Sequence, residues 1–219
     1  GIDRPGGSGE LIFLLNDGDA SFRFASLPGF EGIPGYLEAR DADGDGDQDL
    51  LVVPTARDRV QVLWNDGGIL ESTSSLTFTQ ELIPLSDRFE PHASTLRDID
   101  GDGDLDIITM NGEMLVMTLF NPGNGRLVEG ERMTLEGSDE LIFLLSADLD
   151  GDGDFDIAAN DEASNNLMIL LNRGDGTFVQ TAEVYSVGGQ PIFLAAGDLD
   201  GDGLQDLVSA SRAEDTIGI

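Results

Sequence analysis

The chain holds 219 residues, with 43 acidic against 11 basic residues and a formal net charge of −32. A field of that sign repels nucleic acid and anionic lipid surfaces, so neither is an expected partner. The chain has no cysteine, which excludes disulfide staples, thiolate metal sites and cysteine nucleophiles, and no apolar run approaches the ~18 residues that cross a bilayer, so membrane insertion is not expected.

In chain order, the first predicted elements are an apolar run from Leu11 to Leu15, a turn on Asn16-Asp-Gly-Asp19 and a run from Ala20 to Leu27. A fuller unit follows. Tyr36 to Ala39 leads into an acidic loop beginning at Asp41. Leu50 to Val53 leads out of it, Val60 to Trp64 follows, and a turn opens on Asn65-Asp-Gly-Gly68. The same parts then return in the same order. Ala93 to Leu96, a loop from Asp98, Ile107 to Met110, Met114 to Phe120 and a turn from Asn121 form one set. Leu141 to Leu145, a loop from Asp148, Ile157 to Ala159, Leu167 to Leu171, a turn from Asn172 and a run from Thr177 to Tyr185 form the next. Ile192 to Ala196, a loop from Asp198 and Leu207 to Ala210 begin a last one. The runs are short, bounded by Gly, Asn and Asp, and several alternate apolar with polar residues, which predicts strands.

The loops start at 41, 98, 148 and 198, so they are spaced by 57, 50 and 50 residues. A period of that size belongs to repeat architectures, and four short strands per period predicts the blade of a β-propeller. The longer first step is explained by an insertion between Asn65 and Phe78, because Phe22, Leu127 and Phe178 follow their turn asparagines more closely. The expected fold is all-β: four-stranded blades with a metal-binding loop between the first and second strands of each, as a segment of a larger ring of about seven blades. Closure as a four-bladed ring is the alternative. The expected boundaries are 1–33 for the closing strands of a partial blade, 34–84, 85–134 and 135–186 for three blades, and 187–219 for a second partial blade. The chain starts at Gly1 and shows no signal peptide, so it is expected to be part of a larger multidomain chain.

Each loop reads D-x-D-G-D-G-x-x-D. Carboxylates at such spacing repel one another unless a cation lies between them, and hard oxygen donors in a flexible loop suit Ca²⁺. The helix–loop–helix type of calcium loop is excluded, because it needs a Glu at position 12, where this chain has Val52, Thr109, Ala159 and Ser209.

These loops, together with the turn seen most fully at Asn172-Arg-Gly-Asp-Gly-Thr-Phe178, resemble the FG-GAP/VCBS repeat family, relatives of the integrin α-subunit propeller. The resemblance covers nearly the whole chain, although the Phe-Gly and Gly-Ala-Pro signatures of the integrin version are absent. It implies about four Ca²⁺ ions. The first would be held by the side chains of Asp41, Asp43, Asp45 and Asp49 and the carbonyl of Asp47. The second would use Asp98, Asp100, Asp102 and Asp106 with the carbonyl of Asp104. The third would use Asp148, Asp150, Asp152 and Asp156 with that of Asp154, and the fourth Asp198, Asp200, Asp202 and Asp206 with that of Leu204. The resemblance places the chain outside the cell, from a bacterial source, as a binding or adhesion scaffold for a protein or glycan.

No catalytic set is evident. His92 is the single histidine, Glu31, Glu38, Glu90, Glu113 and Glu140 lack a common column that would suggest a paired acid and base, and no phosphate loop or nucleophile elbow occurs. The chain is therefore expected not to be an enzyme; the alternatives are a propeller glycan lyase or hydrolase, the non-catalytic propeller of one, or a lectin. Arg40 and Arg97, directly before their loops, are expected to pair with loop carboxylates. Trp64 and Tyr36 are expected to pack in the core or rim, and Arg173-Gly-Asp175 is read as turn chemistry.

Overall fold

The computed structural model describes residues 8–31, 33–55, 58–65, 78–86, 89–123, 127–213 and 216–218. The expected insertion between Asn65 and Phe78 lies outside them. The described residues form five antiparallel sheets, each a run of sequential hairpins. The first pairs β1 (Ser8–Asn16) with β2 (Phe22–Glu31). The second holds β3 (Ile33–Arg40), β4 (Asp49–Thr55), β5 (Arg59–Asn65) and β6 (Phe78–Pro84). The third holds β7 (Pro91–Arg97), β8 (Asp106–Asn111), β9 (Leu115–Phe120) and β10 (Val128–Thr134). The fourth holds β11 (Leu141–Ala147), β12 (Asp156–Asp161), β13 (Asn166–Asn172) and β14 (Phe178–Ser186). The fifth holds β15 (Pro191–Gly197), β16 (Asp206–Ser211) and β17 (Thr216–Gly218). The fold is a β-propeller of four-stranded blades.

Alternation along the strands explains how the blades stack. Successive side chains of a strand leave on opposite faces. In β4, Leu50 and Val52 pack with Leu11 of the first sheet, whereas Leu51 and Val53 pack with Leu96, Ile107, Met117 and Leu119 of the third. Likewise Ile157 and Ala159 of β12 face the third sheet, and Ala158 faces Leu194 of the fifth. Second strands are therefore apolar at consecutive positions, and both β8 and β12 are buried end to end. Fourth strands lie outermost, and β14 is largely exposed.

First strands meet from blade to blade, β3 with β7, β7 with β11 and β11 with β15. Each carries a register shift at the same column, between Pro34 and Tyr36, Pro91 and Ala93, Leu141 and Phe143, and Pro191 and Phe193. His92 occupies that irregularity, and its imidazole lies against Gly112, where an added Cβ would come within 2.7 Å of the ring.

The hairpin order sends connections one-to-two and three-to-four to one edge of every blade, and connections two-to-three and four-to-one to the opposite edge. The acidic loops and the Asn turns consequently share one edge of the molecule.

Candidate metal centres

The four loops repeat one hydrogen-bond pattern. The carboxylate at position 1 accepts the N–H groups of positions 4 and 6: Asp41 from Gly44 and Gly46 at 2.9 and 3.1 Å, Asp98 from Gly101 and Gly103 at 2.9 and 3.1 Å. Asp148 and Asp198 do the same with Gly151, Gly153, Gly201 and Gly203. Position 3 accepts from the N–H of position 5, so Asp43, Asp100, Asp150 and Asp200 each bond the residue two places on. Both glycines adopt left-handed backbone, with φ of 76° and 98° at Gly44 and Gly46. There a Cβ costs roughly 1–2 kcal/mol, so the alternating Gly follows from backbone sterics at position 4 as well as position 6.

Position 9 ends the loop and begins the second strand. Asp49, Asp106 and Asp156 are fully buried. Their Oδ2 atoms accept the position-2 N–H groups of Ala42, Ile99 and Leu149 at 2.8, 3.1 and 2.9 Å. Their Oδ1 atoms accept the N–H groups of the turn residues Asn65, Asn121 and Asn172 at 2.8, 2.7 and 2.8 Å. Burial pushes the Asp106 carboxyl up to about 6, reinforced by the charges of Asp100 and Asp102. Burial first, then like-charged neighbours, also raises Asp49 and Asp156.

Carboxylate oxygens of positions 1, 3 and 9 converge in every loop. Asp41 with Asp43 and Asp49, Asp98 with Asp100 and Asp106, Asp148 with Asp150 and Asp156, and Asp198 with Asp200 and Asp206 each offer oxygens within 4.8 Å of one another. The expected position-5 ligands, Asp45, Asp102, Asp152 and Asp202, fall outside these sets and accept the N–H of position 7 at 2.9–3.0 Å. At position 7, the Asp104 and Asp154 carboxylates turn toward the Asn turns: a Cβ at Gly123 or Gly174 would lie 2.5 or 2.6 Å from their oxygens. All donors are oxygen, and buried carboxylates with raised pKa values gain most from a neutralising cation. The residues fit a hard metal ion, and four acidic clusters could hold one.

The arginines preceding the loops behave differently from the sequence expectation. Arg40 and Arg97 both pair with Glu38, each at 3.1 Å, and neither pairs with a loop carboxylate among the described contacts. Strand alternation is the reason, since Glu38 and Arg40 stand two apart on one face of β3. The Glu38 carboxylate also accepts the Leu96 N–H of the next blade at 3.1 Å and the Tyr36 hydroxyl at 3.3 Å. Although burial alone would raise Glu38, the Leu96 N–H and the two guanidinium groups hold it below its usual range. Trp64 is half-buried, donating its indole N–H to Glu81 at 2.8 Å. The Arg173–Asp175 segment is turn structure: Asp175 accepts the Thr177 N–H and hydroxyl, and Gly174 N–H donates to Asn172.

On the opposite edge, a polar depression of about 670 Å³ gathers Glu90, His92, Glu113, Asp139 and Glu140 from two neighbouring blades. Glu90 and Glu140 both stand eight residues before their loops, but Glu113 shares no column with either, so sequence spacing could not associate it with Glu140 of the next blade. Asp161 beneath the same edge was also not singled out, yet it accepts the N–H groups of Asp139, Glu140, Ala163 and Ser164. A cue was available in its column, where Asn111 similarly accepts from Glu113 and Leu115. A more apolar groove of about 800 Å³ lies between the last two sheets, lined among others by Leu167, Ile169, Tyr185, Leu207 and Ser209.

A family model described as FG-GAP-like repeat matches the chain three times, over residues 41–109, 98–159 and 148–209. No curated protein sequence matches significantly. Among solved structures, the chain is similar to a Pseudomonas aeruginosa periplasmic gluconolactonase, with a TM-score of 0.64 and 17% identity over 98% of this chain and 59% of that one. It is also similar to an Agrocybe aegerita lectin recognising non-reducing terminal N-acetylglucosamine, with a TM-score of 0.56 and 21% identity over 90% of this chain and 54% of that one. A chain from a BBS1N–ARL6DN complex gives a TM-score of 0.56 and 17% identity over 83% of this chain and 49% of that one. The chain thus spans about half to three fifths of these structures, and the likeness is one of fold. The lactonase corrects the expectation of a non-enzyme. A propeller can bring residues of separate blades together at one edge, so the lack of a catalytic motif within a repeat does not exclude activity, and the likeness of fold does not establish it.

Proposed function

The chain belongs to the FG-GAP-like repeat family, and on that premise we propose that it is a calcium-binding propeller of an extracellular or periplasmic protein, serving as a scaffold that binds a protein or glycan. The carrying observation is the fourfold convergence of carboxylates at positions 1, 3 and 9 in loops of one geometry. Asp41, Asp43, Asp49 and their counterparts would hold the ion. Asp45, Asp102, Asp152 and Asp202 would join by releasing the position-7 N–H, and the carbonyls of Asp47, Asp104, Asp154 and Leu204 would complete the sets. Ca²⁺ fits the all-oxygen donors better than a transition metal. Loops in extracellular modules bind it with Kd of roughly 10⁻⁴–10⁻³ M, which favours compartments of high free calcium.

For the ligand, a carbohydrate-derived molecule has the support of two neighbours, a lectin and a lactonase, and the polar depression with its imidazole and carboxylates offers suitable hydrogen-bonding groups. Calorimetry with Ca²⁺ tests the metal reading: about four sites are expected, and none would overturn it. A glycan array with calcium present tests the ligand. Selective glycan binding weakened by Glu113→Gln and Glu140→Gln supports a carbohydrate scaffold. Binding of no glycan would remove that choice of ligand, and turnover of a bound sugar lactone or polysaccharide would replace the scaffold with an enzyme.

A further inference from the structure

The candidate centres are wired to one another through single asparagines. At the second position of the first loop, the Ala42 N–H donates to Asp49 Oδ2 at 2.8 Å. The carbonyl of Ala42 accepts from Asn121 Nδ2 at 3.3 Å, across 79 residues of sequence. Asn121 in turn donates its backbone N–H to Asp106 Oδ1 at 2.7 Å. The next blade repeats the path: Ile99 N–H to Asp106 Oδ2 at 3.1 Å, Asn172 Nδ2 to the Ile99 carbonyl at 2.8 Å, and Asn172 N–H to Asp156 Oδ1 at 2.8 Å. Asp49, Asp106 and Asp156 therefore lie on one unbroken hydrogen-bond path through three blades.

Both bridging amides are enclosed, with Asn121 and Asn172 each 5% exposed. Water is a poor substitute for their partners, so a bridge that shifts must carry its neighbour along or leave a buried donor unpaired. Each asparagine also bonds its own loop, donating to the carbonyl of Leu105 or Phe155, so it reads the geometry of two loops at once. Asn65 Nδ2 donates to its own Gln48 carbonyl at 3.3 Å.

We propose that Asn121 and Asn172 are positioning residues that couple the centres at 41–49, 98–106 and 148–156, so that a cation at one raises the affinity of the next. This rests on the calcium reading above. A cation that draws the position-9 carboxylate inward pulls on the position-2 residue whose N–H it accepts. The carbonyl of that same residue, one Cα further on in the next peptide group, moves with it and accepts from the asparagine, whose own N–H holds the next position-9 carboxylate. Repulsion between two bound dications acts in the opposite direction, so the sign of the coupling separates the hydrogen-bond path from the field.

The test is a Ca²⁺ titration of the whole chain followed by the backbone amide resonances of Gly46, Gly103, Gly153 and Gly203, one reporter per loop. Disabling the first loop with D43N/D45N is expected to weaken the Gly103 transition at least about fivefold, the lower end of typical coupling between sites, with Gly203, three loops away, moving less. In N121D, the oxygen that caps the Gly123 N–H at 3.2 Å remains, but the bridging donor is lost. Adding D43N/D45N to that background should leave Gly103 unmoved. N65D introduces the same charge at a turn whose side-chain amide bonds the Gln48 carbonyl of its own loop and should preserve the coupling. Should D43N/D45N alone shift Gly103 no more than Gly203, the coupling is overturned even if N121D does not fold. If all four glycines respond independently, the coupling falls and the calcium reading stands; if none responds, both fall.

Discussion

At the scale of single residues, the buried position-9 aspartates set the acid–base behaviour of the candidate metal centres. Asp106 titrates near 6 in the fold, above the 3.9 or so of a free aspartate. In metal-free protein its folded state binds more protons than its unfolded state between those values. Its contribution to stability therefore grows as pH falls through 6, is complete below about 4, and is lost as pH rises. A cation must displace that proton. Calcium binding at pH 5.5 is expected to release protons, seen as a dependence of calorimetric heat on buffer ionisation enthalpy that fades by pH 7.5. Glycine supplies a second prediction. Gly103 has φ +97° with open space around its position, whereas a Cβ at Gly174 would meet the Asp154 carboxylate at 2.6 Å. Gly103→Ala and Gly174→Ala should each cost roughly 1–2 kcal/mol of backbone strain, because the tip of the Asp154 carboxylate can swing away from the added methyl and leaves only the φ of +79° to penalise Gly174→Ala. Urea denaturation of the two variants, both in chelator, checks that the losses match.

At the scale of elements, what joins one blade to the next is apolar between faces and polar at the inner strands. Met117 and Leu119 of β9 are fully buried against the preceding blade; truncating either to Ala should cost about 2–5 kcal/mol. Glu38 ties β3 to β7 through the Leu96 N–H and Arg97. Glu38→Ala leaves that N–H and two guanidinium groups without their acceptor, at a cost of about 1–3 kcal/mol, measurable as a lower melting temperature. Because the folded Glu38 lies below its usual pKa, its stabilisation is present above pH 4.5 and is lost as pH falls through the folded value. Wild type and Glu38→Ala should therefore converge in stability on acidification. The sequence did not reveal this tie. The column of Glu38 holds Thr95, Leu145 and Ala195, so no repeat marked it, and the arginines were paired with the nearest acids in sequence when alternation gave them another partner.

At the scale of the whole molecule, stacked blades and acidic loops act on one another. With free Ca²⁺ of about 2 mM and Kd of about 0.1 mM, each of the proposed sites would add roughly 1.8 kcal/mol, so four independent sites would add roughly 7. That is comparable to the total stability of a typical domain. Removal of calcium by a chelator is expected to lower the melting temperature by roughly 15–25 °C for a chain of this size. An unchanged melting curve would show that the loops hold no structural ion. Near-neutral salt should also matter, since a chain with a net charge of −32 repels itself, and screening relieves that repulsion.

Local chemistry determined much of this protein before any tertiary contact was known. A carboxylate pattern repeated at fixed offsets, glycines where the backbone turns left-handed, and short apolar runs between them specify loops, strands and the blade they build, because each depends on residues close in sequence. Tertiary structure alone decided which carboxylates converge, positions 1, 3 and 9 and not 5, because position 9 is fixed by the strand and by an asparagine turn some 16 residues on. It alone brought Glu113 and Glu140 to one depression and carried the Asn121 and Asn172 amides across to the loop of the preceding blade. Those contacts arise when sheets stack, and their partners come from different blades, 73 and 79 residues apart at the asparagine bridges, where spacing in a single sequence holds no record of them.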